Sequence, residues 1–315
     1  MAVKEKEKKE DELFKNKAAK QEWFKISRRV SLPVNSHTVD SHFIPKKINF
    51  EDNIKVVEQV AVAASWGMPV LLVGETGTGK TSLVRHLCSE TKNGFVRVNH
   101  NGGTTVEDIV GRWVVRAVDG QQVTEWVDGI LVEAMKKGYW FLADEINAAS
   151  ADINFVYHSL LDDDGRVLLV EKGNEVVIPN SNFRFFGAMN PPTEYAGTKE
   201  LNKALMSRFM VVNVDFPAPK IEEKILVDRT GIPSDVAEKM VTIAGAIRIM
   251  HGKGEVRFVL STRELLMWAT MFKVYKRFML SAEMSVLNKV GTDDFEVIRD
   301  MMNLQFSTID KNLKE

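Results

Sequence analysis

The spacing of apolar and polar positions changes along the chain, and each change marks a different kind of structure. Residues 1–25 (MAVKEKEKKEDELFKNKAAKQEWFK) carry dense charge of both signs and few apolar side chains. Such a segment cannot build a core alone and is expected as a solvated arm. Residues 26–48, with Pro33 and Pro45, are expected as an extended lead-in. From 49 to 218 short apolar runs alternate with amphipathic stretches, the pattern of an α/β parallel sheet. Strands are expected at 69–73, 94–99, 139–144, 183–189 and 210–215. Two further stretches read as inserted β-hairpins: 113–126, turning at Asp119-Gly120, and 166–179, turning at Lys172-Gly173-Asn174. Beyond Pro217-Ala218-Pro219 the spacing turns helical, so 219–315 is expected as a smaller all-α domain with methionines filling its core.

Between the first of these strands and the helix-like run Ser82-Leu83-Val84-Arg85-His86-Leu87 lie Gly74, Glu75, Thr76, Gly77, Thr78, Gly79, Lys80 and Thr81. They fit G-x-x-x-x-G-K-[ST] in the strand-then-helix setting that this phosphate-binding pattern requires. Glycines let the backbone turn its N–H groups inward around phosphate oxygens, and the helix N-terminus adds partial positive charge. Lys80 is expected to reach the β/γ-phosphates, Thr81 to offer its hydroxyl to Mg²⁺, and Ser82 to follow in the same turn. The expected ligand is a nucleoside triphosphate.

The residues that follow separate a hydrolase from a kinase. Tyr139-Trp140-Phe141-Leu142-Ala143-Asp144-Glu145 is an apolar strand ending in two carboxylates. Asp144 is placed to hold Mg²⁺, directly or through water, and Glu145 to polarise an attacking water. Asn190, at the end of the strand Phe183–Met189, is placed to sit between the γ-phosphate and that water. Arg208, in Ser207-Arg208-Phe209, is expected to project into a neighbouring subunit's site, where a guanidinium stays charged and binds phosphate oxygens in pairs. In Ser261-Thr262-Arg263-Glu264, Ser261 and Glu264 have capping-box spacing. A cation in that first turn opposes the helix dipole, which a bound phosphate at Arg263 would explain. Arg257 is an alternative to Arg263, and Arg184 a second candidate for an intersubunit site.

Composition narrows the classes. The 315 residues carry 42 basic and 43 acidic side chains, so no global positive field advertises nucleic acid or an anionic membrane. Cys88 is the only cysteine, which excludes an intrachain disulfide and fits a reducing compartment. No stretch approaches a transmembrane run, so a cytoplasmic protein without a membrane partner is expected. The six histidines form no His-x-x-x-His or Cys/His cluster, against a metal hydrolase.

In this order the motifs resemble those of the AAA+ ATPases over roughly residues 50–305. Asp144-Glu145-Ile146-Asn147-Ala148-Ala149 is similar to the MoxR and midasin-like branch, and both hairpins sit where that branch has its helix-2 and pre-sensor insertions. Val96-Arg97-Val98-Asn99, the run from Asp119 to Leu131, and Phe183-Arg184-Phe185-Phe186 resemble the small ATPase subunits of aerobic cobaltochelatase. The resemblance implies a P-loop five-stranded parallel sheet with an all-α lid, ATP rather than GTP, and a homo-oligomeric, hexameric ring. It also implies a partner protein, often with a von Willebrand A domain, that the ATP cycle remodels or activates. Partners would engage the hairpins, which makes Trp113 and Trp126 candidates for packing that follows the cycle. A nucleic-acid motor of the same fold is the alternative, although Asp119, Glu125 and Asp128 dilute the charge of Arg112 and Arg116. A nucleotide-gated scaffold without hydrolysis is disfavoured by the presence of all the hydrolytic positions.

Overall fold

The computed structural model describes residues 21–47, 50, 54–119, 121–191 and 200–306. Most of the expected charged arm, residues 1–20, lies outside the described residues. Described chain begins with β1 (Trp23–Lys25) and β2 (Ser31–Pro33), paired antiparallel with Leu32 buried. Three-residue strands carry too little alternation to register in a sequence pattern. The end of the expected arm and part of the expected extended lead-in therefore prove to be a small hairpin.

Next come α1 (Ile54–Ser65), β3 (Val70–Val73), α2 (Lys80–Glu90) and β4 (Phe95–Asn99). A capping box between Thr105 and Asp108 starts the short α3 (Val106–Val110). The first inserted hairpin is β5 (Gly111–Val118) with β6 (Gln121–Asp128), pairing Trp113 opposite Trp126. It extends beyond the expected 113–126 at both ends, and Asp119 adopts φ +51° at the turn. Gly138, at φ +72°, closes α4 (Ile130–Lys137) as a left-handed C-cap. Then follow β7 (Trp140–Asp144), buried throughout, and α5 (Ala151–Leu160), capped by Ser150. The second hairpin, β8 (Val167–Leu169) with β9 (Glu175–Val177), turns where expected, with Gly173 and Asn174 both at positive φ. The unit closes with β10 (Arg184–Met189), α6 (Lys203–Met206) and β11 (Met210–Asn213).

Five strands form one parallel sheet in the order β11-β3-β10-β7-β4. The near-continuous apolar runs of the three central strands β3, β10 and β7 follow from burial on both faces, whereas the edge strands β4 and β11 are partly exposed. Every expected sheet strand is present, trimmed by one or two residues at an end. The order sets β10 between β3 and β7, with Met189 opposite Val73 and Ala188 opposite Asp144. The carboxyl ends of three adjacent strands therefore stand side by side, where open α/β sheets bind ligands.

After residue 213 the chain is helical: α7 (Pro219–Thr230), α8 (Ser234–Gly252), α9 (Thr262–Tyr275), α10 (Phe278–Ser285) and α11 (Thr292–Phe306). Two compact units result, each with its own core. One contains residues up to 50, 54–73 and 80–213, around Leu71, Phe141, Ile146, Tyr157 and Phe185. The other contains the loop 74–79 together with the helices, around Leu265, Trp268, Phe278, Ile298 and Met302. Met240 and Met302 fill that second core, whereas Met267 and Met284 stay exposed.

Candidate functional site

In the helical unit, glycine is required at two points of loop 74–79. A side chain on Gly74 would come within 2.1 Å of the Val214 carbonyl oxygen. Gly77 lies at φ +81°, and a Cβ there would meet Ser261 Cβ and Oγ at 2.7 Å and Arg263 Cβ at 3.5 Å. Thr78, buried, donates its hydroxyl to Glu75 O at 2.9 Å and its N–H to the same oxygen, which closes the loop turn. Gly79 follows at φ +100°, and Thr76 is exposed.

Ser261 and Glu264 form the expected capping box at the start of α9. Arg263 is exposed in that first turn, beside the apex of the loop. Arg257 sits elsewhere: its backbone N–H donates to Asp294, and its guanidinium lies 3.9 Å from Asp293. The α9 N-terminus is anchored by residues that periodicity does not single out. Glu222, fully buried on α7, accepts both Nη groups of Arg248 at 2.8 Å and the Thr262 hydroxyl at 2.5 Å. Arg248 Nε donates to Leu260 O at 2.9 Å, and its guanidinium stacks 3.8 Å from the Phe216 ring centroid.

In the α/β unit, the first two residues of α2 reach the tips of two neighbouring strands. Lys80 Nζ donates to Asn190 Oδ1 at 3.1 Å, beyond β10, and Thr81 Oγ1 donates to Asp144 Oδ2 at 2.9 Å, at the end of β7. Ser82 lies half-buried in the same helical turn. Glu145 is exposed and held at φ +55°, ψ +42°, and its N–H donates to Asp144 Oδ1 at 3.1 Å. A left-handed conformation in a glutamate is uncommon and is enriched at functional positions.

Arg97, on β4, donates Nε to Asp144 Oδ2 at 2.7 Å. Nothing in its local sequence distinguishes it from an outward-facing strand residue. Behind the acid, His100 is buried. Its backbone N–H donates to Asp144 O at 2.9 Å, and its Nε2 lies 2.7 Å from the Tyr157 hydroxyl. Its Nδ1 has no hydrogen-bond partner among the described residues. Burial lowers the His100 pKa to about 4 against the opposing pull of Asp144, so the ring is neutral at pH 7.

These donors fit Mg²⁺. Because Thr81 donates its proton to Asp144, its oxygen lone pairs are left for a cation. Among the described residues no group of three His, Cys, Asp or Glu side chains could hold a metal. Mg²⁺ takes one or two protein oxygens, which the Thr81 hydroxyl and the Asp144 carboxylate can supply, and fills its shell with phosphate oxygens and water.

Other expected residues stand apart. Arg208, at the end of α6, donates Nη1 to Ala204 O at 2.6 Å and Nη2 to Asp162 Oδ1 at 3.3 Å, and its Nε is buried without a partner among the described residues. Its hydrogen bonds include none to Lys80, Thr81, Asp144 or Asn190. Arg184 donates Nε to the carbonyl of Ala64 and Nη1 to those of Ser181 and Phe183, all within its own chain. Cys88 is fully buried on α2, which pushes its thiol pKa well up, consistent with packing.

Trp113 and Trp126 meet edge to face at 5.6 Å. Trp113 Nε1 also donates to Glu171 O at 3.0 Å, tying the first hairpin to the second. Among the described residues no helix is long and apolar enough to cross a membrane.

Comparison with known proteins matches residues 69–209 to the family described as AAA domain (dynein-related subfamily) and residues 222–306 to CbbQ/NirQ/NorQ C-terminal. The chain is 33% identical over 241 residues to the midasin of Dictyostelium discoideum, which is 73% of this chain but only 4% of that protein. It is 30% identical over 239 residues to protein CbbQ of Hydrogenophilus thermoluteolus, 76% of this chain and 86% of CbbQ. It is also 28% identical over 232 residues to the aerobic cobaltochelatase subunit CobS of Sinorhizobium sp., 70% of each chain.

Proposed function

The chain belongs to the AAA+ ATPases, in their MoxR-like branch, and from that premise we propose that it hydrolyses ATP in a hexameric ring of identical subunits and uses the cycle to remodel or activate a partner protein. One observation carries the catalytic part. Lys80 and Thr81 are hydrogen-bonded to Asn190 at 3.1 Å and Asp144 at 2.9 Å, which draws the phosphate-loop helix and two strand tips into one cluster.

Lys80 stabilises charge on the β/γ-phosphate oxygens, and Asn190, already its partner, orients the attacking water through its amide. Glu145 takes that water's proton as general base. Thr81 and Asp144 hold Mg²⁺, which when bound neutralises charge developing on the transferred phosphoryl group. Arg263, beside Gly77, binds phosphate from the helical unit, and Arg208 completes a neighbour's site, so that hydrolysis depends on assembly. Residues 49–218 serve as the nucleotide-binding core and 219–315 as the lid. The partner is one with a von Willebrand A domain, as the resemblance to cobaltochelatase ATPase subunits implies, and the lone buried cysteine supports a cytoplasmic setting. A nucleic-acid motor is not favoured, since Arg116 is paired with Glu125 at 2.8 Å and Arg112 lies 3.8 Å from Asp108.

The test is phosphate release from ATP as a function of protein concentration, with mass photometry on the same samples and Glu145→Gln alongside. Rate per subunit should climb with ring assembly, and Glu145→Gln should assemble and bind ATP while losing turnover. A wild-type rate indifferent to assembly sinks the ring, and a Glu145→Gln rate equal to wild type sinks the catalytic assignment.

A further inference from the structure

Asp144 is held by more than Thr81. Arg97 reaches across from β4 and places both Nε and Nη2 at 2.7 Å from one oxygen, Oδ2. Thr81 donates to that same oxygen at 2.9 Å, and the Glu145 N–H takes Oδ1 at 3.1 Å. An ionised carboxylate offers about four lone-pair sites, two on each oxygen. Oδ2 already faces more donors than it has lone pairs, and one site remains on Oδ1. Charge-assisted contacts of this length are the strong ones. Side-chain exposure is 9% for Asp144 and 45% for Arg97, so the acid is enclosed while its partner stands at the solvent edge of the site.

We propose that Arg97 is a positioning residue for Asp144. It holds Oδ2, keeps the carboxylate turned toward Thr81, and confines Asp144 to the outer, water-mediated shell of the metal. Without Arg97 the acid would be free to rotate and to bind a cation directly. A like charge beside a divalent site also weakens the ion's binding, so Arg97 sets metal affinity as well as geometry. This inference rests on the reading of the site as one for Mg²⁺ and ATP.

The experiment compares wild type with Arg97→Met, which keeps length without charge, and Arg97→Lys, which keeps charge without the fork. Manganese affinity is read by electron paramagnetic resonance titration with a non-hydrolysable ATP analogue, beside metal-free binding of a fluorescent ATP and the Mg²⁺ dependence of turnover. Arg97→Met should bind Mn²⁺ roughly three- to ten-fold more tightly, because a cation beside the divalent site has been removed. Its half-saturating Mg²⁺ should fall by the same factor and its kcat should drop. Arg97→Lys should keep near-wild-type Mn²⁺ affinity with a reduced kcat.

Unchanged or weaker Mn²⁺ binding in Arg97→Met overturns the proposal. Loss of metal-free nucleotide binding in that variant also overturns it, because Arg97 would then be a phosphate ligand. Wild-type protein that binds no nucleotide sinks the underlying reading, and the proposal with it.

Discussion

Arg248 donates Nη1 and Nη2 at 2.8 Å to different oxygens of Glu222, and that carboxylate is wholly shielded from water. The pair joins α8 to α7, and through Thr262 and Leu260 it fixes the N-terminus of α9. The same N-terminus supplies Ser261 and Arg263 to the neighbourhood of Gly77. An ion pair between α7 and α8 therefore fixes the α9 N-terminus that carries the expected phosphate-binding arginine.

Breaking that pair from one side leaves a buried charge without its partner, which costs about 3–5 kcal/mol, more than replacing both members by apolar groups. Arg248→Met should accordingly lower the urea midpoint of the helical unit, followed through Trp268 in its core. Arg248→Met combined with Glu222→Leu should recover more than half of the loss. An Arg248→Met protein within about 1 kcal/mol of wild type would show that solvent reaches Glu222 and that the anchor is weaker than its geometry.

Gly77 tests the contact itself. A left-handed residue with a Cβ costs about 1–2 kcal/mol by conformation alone, and here the Cβ also falls 2.7 Å from Ser261. Gly173 offers the comparison, at φ +73° with no atom within 4 Å of the added Cβ. Gly173→Ala should bind fluorescent ATP like wild type, whereas Gly77→Ala should lose at least about ten-fold in affinity, the equivalent of 1.4 kcal/mol. Equal affinities in the two variants would mean that the loop and the α9 N-terminus separate when nucleotide binds.

The elements that a sequence reveals are those whose signal is local. The five sheet strands are apolar runs bounded by turn residues, and both hairpin turns carry residues suited to positive φ, so their places were legible. Loop 74–81 needs glycine for reasons that act within eight residues, and the Asp144-Glu145 pair ends its own strand. Arg97 is different. It is a charge between two valines, and only the β4–β7 register, aligning Asn99 with Asp144, brings it to a carboxylate 47 residues away. Glu222 and Arg248 meet across 26 residues, and His100 and Tyr157 across 57, in ways no periodicity encodes. The β1–β2 hairpin was missed because its three-residue strands span little more than one two-residue cycle, too short a run for alternation to stand out.

His100 makes the fold sensitive to acid. Its pKa is about 4 in the folded protein against an ordinary 6.5, with burial as the cause and Asp144 opposing it. The unfolded chain therefore takes up the proton first as pH falls. The contribution is fully present above pH 6.5 and is lost progressively toward pH 4. At 1.36 kcal/mol per unit, about 2 kcal/mol should go between pH 6.5 and 5. His100→Gln, which can still hydrogen-bond Tyr157, should flatten that interval relative to wild type in urea titrations at the two pH values. Parallel curves for the two proteins would place the acid sensitivity in other groups.

Arg208 has two explanations, and one mixture separates them. Within its own subunit it caps α6 through Ala204 O and pairs with Asp162, which is what a cation at a helix C-terminus does. On that account Arg208→Ala is a stability variant, and turnover per folded subunit survives. On the proposed account it stabilises the transition state in a neighbour's site, where such arginines contribute roughly 10³–10⁵ in rate. Arg208→Ala rings of wild-type mass should then hydrolyse ATP at least about 100-fold more slowly. Glu145→Gln rings should be equally inert for a different reason. Co-assembled, the two variants should regain activity, because a Glu145→Gln subunit can lend its intact Arg208 to a neighbour that keeps Glu145. A cap cannot be lent across an interface. If the mixed rings stay inactive while their masses show both subunits present, Arg208 acts only within its own chain and the trans assignment fails.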